Sequence, residues 1–346
     1  MTRHITMIYR SKAPLRIGLA GGGTDVSPYC DLYNGAILNA TLSLYAYATI
    51  EVLDEPRIEF HAWDQGERLS YDRADQLPID GQLDLLKGVY NRIQRDYGIP
   101  VTGLRLTTYV DATAGSGLGT SSTLVVAIVG AFAEMLKLPL GEYDMAHYAY
   151  EIERKDLHLA GGRQDQYAAT FGGVNFMEFY PNDKVIVNPL RIKREYLFEL
   201  EHNLLLYFTA TNRESAKIIE KQAGNVINKD QGAIEAMHQL KIQAQMMKEA
   251  LLMGKLSSIG EILDFGFQQK RKMAEGISNA RIEEIYDEAK RAGATGGKIS
   301  GAGGGGFMIF YCPGTTKYKV MKSLEQFGGT EKKYEFVKLG LSTWTV

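Results

Sequence analysis

The chain has 346 residues, a length that suits two domains better than one. Its 39 basic and 41 acidic residues leave a formal net charge of −2, which argues against the basic excess of a nucleic-acid binder but leaves room for an anionic ligand held by a few local cations. Two distant cysteines, Cys30 and Cys312, exclude a disulfide framework and a metal-spaced thiolate set.

The opening stretch "MTRHITMIYRSK" carries no apolar signal-type core, so a cytoplasmic protein is expected. "LRIGLA" (15–20) reads as a strand that contains Arg16 and runs into the turn Gly21-Gly22-Gly23, followed by Thr24 and Asp25. An in-strand arginine beside such a turn is either a structural ion-pair partner or a site residue. "LYAYATIEVL" (44–53) and "GLRLTTYVD" (103–111) read as further strands.

The third strand leads into "GSGLGTSS", Gly115 to Ser122, and then "SSTLVVAIVGAFAEML" (121–136), which is too long for a strand and reads as a buried helix. Strand, glycine loop and helix N-terminus together form the context of a phosphate site, where successive amides and the helix dipole favour an anion. The P-loop lysine is missing, since no Lys occurs between Lys87 and Lys137, and the dinucleotide glycine spacing fails. Amides, dipole and a divalent cation would share the neutralisation instead. A hydroxyl at the helix start can ligate Mg²⁺, with a carboxylate drawn from Glu151, Glu153, Asp156 or Asp165.

A second helix is expected over 142–157. The glycine-flanked segment 159–179 holds Arg163 and Asp165 and ends in the strand-like "VNFMEFY". The charged stretch "NPLRIKREYLFELEHN" places a domain boundary, giving domains 1–190 and 191–346. The second half opens with a strand (203–210). Three helical stripes follow: Ile234 to Leu251, Ile259 to Phe267, and Ile282 to Ala289 stopped at Gly293. Seven glycines in the eleven residues 296–306 lead straight into the strand "FMIFY", so they are expected to bring backbone close to a ligand or to the other glycine loop. The six histidines show no metal spacing, and the longest apolar run, 124–133, is too short to span a bilayer. Strands and helices in this order indicate an α+β fold.

Together "APLRIGLAGGGTD", "GSGLGTSS" and "KISGAGGGG" resemble the three motifs of the GHMP small-molecule kinases, in order and over nearly the whole chain. The resemblance implies an N-terminal domain like ribosomal protein S5 domain 2, a ferredoxin-like C-terminal domain, and an active site between them. It implies ATP phosphates on Gly115, Ser116, Gly117, Leu118, Gly119, Thr120, Ser121 and Ser122, with Gly303 and Gly304 alongside. Mg²⁺ would join Ser121 to Glu153, twelve residues before Asp165. Asp165 would contact the attacking hydroxyl as base or orienter, with Arg16 as the basic residue beside it. Substrate contacts would come from Gly22, Gly23, Thr24 and Asp25.

Galactokinases have Glu-His where this chain has Gly22-Gly23, which argues against galactose. The stretch 16–42 is most similar to the heptose 7-phosphate kinases of the family and more distantly to its fucose-type kinases. That implies transfer of the γ-phosphoryl of ATP to the anomeric hydroxyl of a heptose 7-phosphate, in nucleotide-activated heptose synthesis. The rivals are another anomeric sugar kinase, for L-fucose or a pentose, a non-catalytic ligand sensor, and a nucleic-acid binder, the last opposed by the charge balance. The sugar's own phosphate needs cations distinct from those serving ATP, and Arg163 and Arg213 are the candidates because Arg suits bidentate phosphate contact. The partner is then a small sugar phosphate, with no nucleic acid or membrane. Assembly is open between monomer and homodimer.

Overall fold

The computed structural model describes residues 7–211 and 215–346. The first part of the chain contains β1 (Ile8–Ala20), α1 (Tyr29–Tyr33), β2 (Gly35–Leu53), β3 (Arg57–Ala62), β4 (Glu67–Asp72), α2 (Asp84–Tyr97), β5 (Gly103–Val110), α3 (Thr120–Leu136), α4 (Glu142–Glu151), α5 (Gln164–Phe171), β6 (Val174–Phe179) and β7 (Val185–Pro189). The second contains α6 (Arg194–Asn203), β8 (Leu204–Phe208), α7 (Ser215–Ile227), α8 (Gln231–Met253), α9 (Ile259–Lys270), α10 (Ala280–Ala292), β9 (Gly296–Ile299), β10 (Phe307–Tyr311), α11 (Thr316–Leu324), β11 (Thr330–Glu331) and β12 (Ser342–Thr345).

Strand β1 pairs antiparallel with β2, from Ile8 opposite Glu51 to Ala20 opposite Leu38. The first sheet runs β12-β1-β2-β5-β3-β4, with β6 on β2 and β7 on β6. Sequence reading sees only 15–20 and 44–53 of the two long strands. Arg10, Ser11 and Lys12 in one, and Gly35, Ala36 and Asn39 in the other, interrupt the apolar pattern. Both strands persist through them because neighbours on either side pair with them. Helix α3 packs on β1 and β2, and α8 from the second half also packs on both. One core therefore joins Leu15, Ile17, Val125 and Ile128 to Met247 and Leu251.

The second sheet, β11-β8-β10-β9, is antiparallel throughout. It shares a separate core with α8 to α11, including Leu205, Phe310, Met237, Phe267 and Ile285. The fold is α+β. The stretch read as a boundary folds as α6, with Leu200 and Asn203 buried. The expected second domain, 191–346, gives its last strand back to the first sheet, where Tyr9 lies opposite Thr345 and Lys12 opposite Ser342. That pairing covers the edge of β1, whose backbone groups would otherwise be open to a foreign strand. Both cysteines are free and buried. Among the described residues no helix is long and apolar enough to cross a membrane.

The glycines before β10 meet the other glycine loop directly. Phe307 N donates to Ser116 O at 2.9 Å, and Ser300 Oγ donates to Gly117 O at 2.8 Å. Gly306 has φ +81°, and a Cβ there would sit 2.3 Å from Ser116 O. Gly314 has a similar φ of +63° with open space around it. Gly306→Ala should therefore lose about 1–3 kcal/mol more unfolding free energy than Gly314→Ala, which carries only the left-handed backbone cost. Urea unfolding of both variants measures the difference, and equal losses would show that the loop contact contributes nothing.

Candidate active site

The loop Gly115–Gly119 is built on alternating backbone handedness. Gly115, Gly117 and Gly119 have φ of 76°, 86° and 77°, and Ser116 and Leu118 between them are buried. The carbonyls on this stretch are held by protein. Besides the two contacts above, Gly117 O accepts from Arg16 Nη1 at 2.8 Å and Leu118 O from Arg16 N at 3.1 Å. Alternation of this kind turns successive amides toward one concave side. Gly119 opens α3 with no side-chain cap, so the first-turn amides and the positive end of the dipole meet the same hollow. The Ser116 amide donates to Thr113 O at 3.2 Å, and its hydroxyl is buried without a hydrogen-bond partner. Leu118 likewise serves the loop's shape and does not line the hollow.

A cleft of about 290 Å³ gathers the loop and helix start with Arg16, Asp25, Glu153 and Asp165 from the first domain, and Gln222, Lys270, Gly301 and Ala302 from the second. Arg16 is buried on β1, and its Nε and Nη2 each reach Asp165 Oδ1 at 2.6 Å. Asp165 is the second residue of α5, so the glycine-flanked segment carries it on a helix. A Cβ on Gly119 would lie 3.2 Å from Asp165 Oδ2, so the second carboxylate oxygen rests against the start of α3.

Asp25 holds α5 in that orientation. Its Oδ2 accepts from the amides of Arg163 at 2.9 Å and Gln164 at 3.0 Å, supplying a cap that α5 lacks from its own side chains. Burial pushes the Asp25 carboxyl above the usual carboxylate range, and the charge on Asp165 adds to the effect. Gly162 permits the contact, because a Cβ there would fall 2.0 Å from Asp25 Oδ2. Thr24 shapes the turn: its hydroxyl has Gly21 O at 2.9 Å and Ala36 O at 3.0 Å as acceptors for its one hydrogen, and it accepts from Ala36 N. Gly22 O accepts from Lys270 Nζ at 3.1 Å and Gly23 O from Gln222 Nε2 at 2.7 Å.

Helix α4 runs on into a π-helical turn, Ile152–Asp156, of the kind that often marks a functional site. It places buried Glu153 in the cleft wall, where Glu153 accepts from Gln166 Nε2. The same Nε2 donates to Ser122 Oγ at 3.1 Å, leaving Ser121 as the exposed hydroxyl at the helix start. Gln166 Oε1 is buried without a hydrogen-bond partner. No group of three or more His, Cys, Asp or Glu suited to a metal occurs among the described residues. These oxygens fit Mg²⁺, which takes one or two protein ligands and completes its shell with phosphates and water.

Several expected residues lie elsewhere. Arg163 is buried, and its guanidinium donates to Tyr180 O at 2.9 Å and Ser27 Oγ at 3.2 Å, with ion pairs to Asp31 at 2.8 Å and Asp183 at 3.0 Å. Its charge is neutralised in a structural network, and the side chain does not line the cleft. Arg213 falls outside the described residues. Gly304 N donates to Ile277 O at 2.7 Å, and a Cβ on Gly303 would lie 2.7 Å from the Ile277 backbone. The third glycine motif thus reaches the cleft through Gly301 and Ala302 instead of Gly303 and Gly304. Glu151 and Asp156 both pair with Arg92, at 2.7 Å and 2.9 Å. Sequence reading missed Arg154 and Lys270. Lys270 left a signal: it continues the apolar stripe Ile259, Leu263, Phe267 of α9 at helical spacing.

Residues 84–173 match the GHMP kinases N terminal domain, and residues 247–329 match the GHMP kinases C terminal family. The chain is 48% identical, over 97% of its length and 99% of the relative's, to the D-glycero-alpha-D-manno-heptose 7-phosphate kinase of Campylobacter jejuni. It resembles a crystal structure from Bacteroides thetaiotaomicron, named as a D-glycero-D-manno-heptose 1-phosphate kinase, with TM-score 0.84 and 49% identity over 98% of this chain and 99% of that one. A Lactococcus lactis galactokinase solved with galactose shares the fold, with TM-score 0.77 at 15% identity over 97% and 95% of the two chains. The chain belongs to the GHMP kinase family of ATP-dependent phosphotransferases.

Proposed function

We propose that this chain moves the γ-phosphoryl group of ATP to the anomeric hydroxyl of D-glycero-D-manno-heptose 7-phosphate, giving the 1,7-bisphosphate. The observation that carries the reading is the seat of Asp165. Arg16 pins one carboxylate oxygen, and the other lies against Gly119, where a phosphate chain resting on the glycine loop would end. An acceptor hydroxyl placed there donates its hydrogen to Asp165 Oδ2 and presents its oxygen to the phosphoryl group. Positioning and charge stabilisation do most of the work in such a transfer, so few side chains are needed.

Ser121 and Glu153 would hold Mg²⁺, which when bound neutralises charge on the transferred group. Arg154 Nη1, 3.6 Å from Glu153 Oε1, adds a cation on the same side of the cleft. The heptose 7-phosphate as acceptor is supported by the name of the Campylobacter relative. The name of the Bacteroides structure favours a second reading, in which the anomeric carbon already carries the phosphate and a different hydroxyl is the acceptor. Supplying the 7-phosphate, the 1-phosphate, the free heptose and L-fucose to the enzyme, with the product read by phosphorus NMR, separates these. Turnover of the 1-phosphate in place of the 7-phosphate would replace the first reading by the second.

Asp165→Asn should lower kcat by about 10²–10⁴-fold while nucleotide affinity, measured calorimetrically, changes little, because the glycine loop holds the phosphates. Near-normal turnover would remove Asp165 from the reaction. Ser121→Ala and Glu153→Gln should each reduce turnover and raise the Mg²⁺ concentration giving half-maximal rate. An unchanged Mg²⁺ titration in both would take the metal away from this pair.

A further inference from the structure

We infer that Gln166 is a positioning residue that builds the metal side of the cleft, an inference that rests on the Ser121–Glu153 seat proposed for Mg²⁺. Gln166 is the third residue of α5 and is fully buried. It does not line the cleft itself, but both partners of its side-chain amide do. Its Nε2 carries two hydrogens and has two acceptors: Glu153 Oε2 on the π-helical turn, and Ser122 Oγ at 3.1 Å in the first turn of α3.

Glu153 is only 1% exposed, and a carboxylate so placed costs free energy unless donors or cations face it. Among the described residues it has one hydrogen bond, from Gln166 to Oε2, and one ion pair, from Arg154 Nη1 to Oε1 at 3.6 Å. Gln166 therefore fixes the torsions of the Glu153 side chain. The same partners settle which way the amide points. With its nitrogen toward Glu153 both hydrogens are used, and Oε1 is left buried without a partner. The reverse orientation would set an oxygen against a carboxylate. A buried acceptor left unpaired is a cost that an apolar side chain of similar volume would not carry, so what this position supplies is the donor. Ser122 directly follows Ser121, so an amide shared by Ser122 and Glu153 sets how far the start of α3 lies from the carboxylate. A Mg²⁺ site tolerates little error in that spacing, because the ion demands near-ideal octahedral geometry. The residue before Gln166 is Asp165, which faces Arg16 and Gly119. One helix start thus carries the carboxylate assigned to the acceptor hydroxyl and the amide that sets the metal ligands, and Asp25 caps that helix.

Calorimetry with the non-hydrolysable nucleotide AMP-PNP, with and without Mg²⁺, tests this in the absence of turnover. The quantity read is the factor by which Mg²⁺ tightens nucleotide binding. Gln166→Met should lower that factor about tenfold, the size of one hydrogen bond to a charged group, and leave the metal-free affinity close to wild type. Glu153→Gln should lower it as well, and adding Gln166→Met to Glu153→Gln should lower it little further, because the amide acts through that carboxylate. Gln166→Asn, whose amide is one methylene too short to reach both partners, should also lower the factor, and it carries the test if Gln166→Met fails to fold. A glutamine that only fills the space between α3, α4 and α5 predicts equal losses with and without Mg²⁺, and that result overturns the inference. A factor lowered by Glu153→Gln but kept at the wild-type value in both Gln166 variants would overturn the role of Gln166 alone. A wild-type factor near one, or one unchanged in Glu153→Gln, would take the metal away from Glu153 and the inference with it.

Discussion

The Arg16–Asp165 ion pair joins three parts of the molecule that are distant in sequence. The guanidinium rises from β1, reaches the carbonyl of Gly117 in the glycine loop, and closes on Asp165 at the start of α5. A guanidinium can do this because its donors form a rigid fork with arms in different directions, whereas an ammonium has no such fixed spread. The main-chain amide of the same residue holds Leu118 O. One residue therefore sets both the curvature of the glycine loop and the direction of the carboxylate that faces it. The close fit of Asp165 to Gly119 follows from that shared anchor.

The same economy explains how a chain of net charge −2 can receive two polyanions. Backbone amides and a helix terminus carry partial positive charge without any ionised side chain, so the nucleotide end of the cleft needs little cationic help. Arginines that look available in the sequence are used otherwise. Arg163 ties α1 to the β6–β7 connection through Asp31 and Asp183, and Arg92 ties α2 to α4 and the π-helical turn after it through Glu151 and Asp156. Surplus positive charge inside the cleft would bind phosphate without orienting it.

The sequence made legible those features whose physics is local. Alternating glycines before a nearly all-apolar stretch mark a loop that opens a buried helix, and Gly119 opens α3 as that pattern implies. The stripes of α8, α9 and α10 are clear for the same reason, because each repeats at helical spacing. The approach of the 296–306 glycines to another backbone is also legible, since only contact explains so many before a buried strand. Features that depend on distant partners are not. The length of β1 and β2 comes from their neighbours, the return of β12 to β1 spans the whole chain, and Arg163 reveals its role only when Asp31 and Asp183 are placed beside it. Gly303 and Gly304 are indistinguishable from Gly301 by composition, and the fold alone decides which of them borders the cleft.

The backbone of Gly18–Gly23 is held by residues from the second half of the chain. Lys298 Nζ donates to Gly18 O at 2.7 Å, Gln243 Oε1 accepts from Gly21 N at 3.0 Å, Lys270 Nζ donates to Gly22 O, and Gln222 Nε2 donates to Gly23 O. These four residues come from β9, α8, α9 and α7, so the backbone of Gly18–Gly23 is clamped from one side by four separate elements. Gln243 is itself fixed, since its Nε2 donates to Ile262 O at 3.0 Å. The Gly115–Gly119 loop takes its shape from Arg16 and from the glycine motif that precedes β10. The two loops that border the cleft thus share the 296–306 motif as a support, through Lys298 and Ser300, and otherwise have separate contacts. Changing helices α7 to α9 bears directly on Gly21–Gly23 and not on the Arg16 contacts that hold the Gly115–Gly119 loop. One fold can in this way keep a single phosphoryl donor and vary what receives the phosphate.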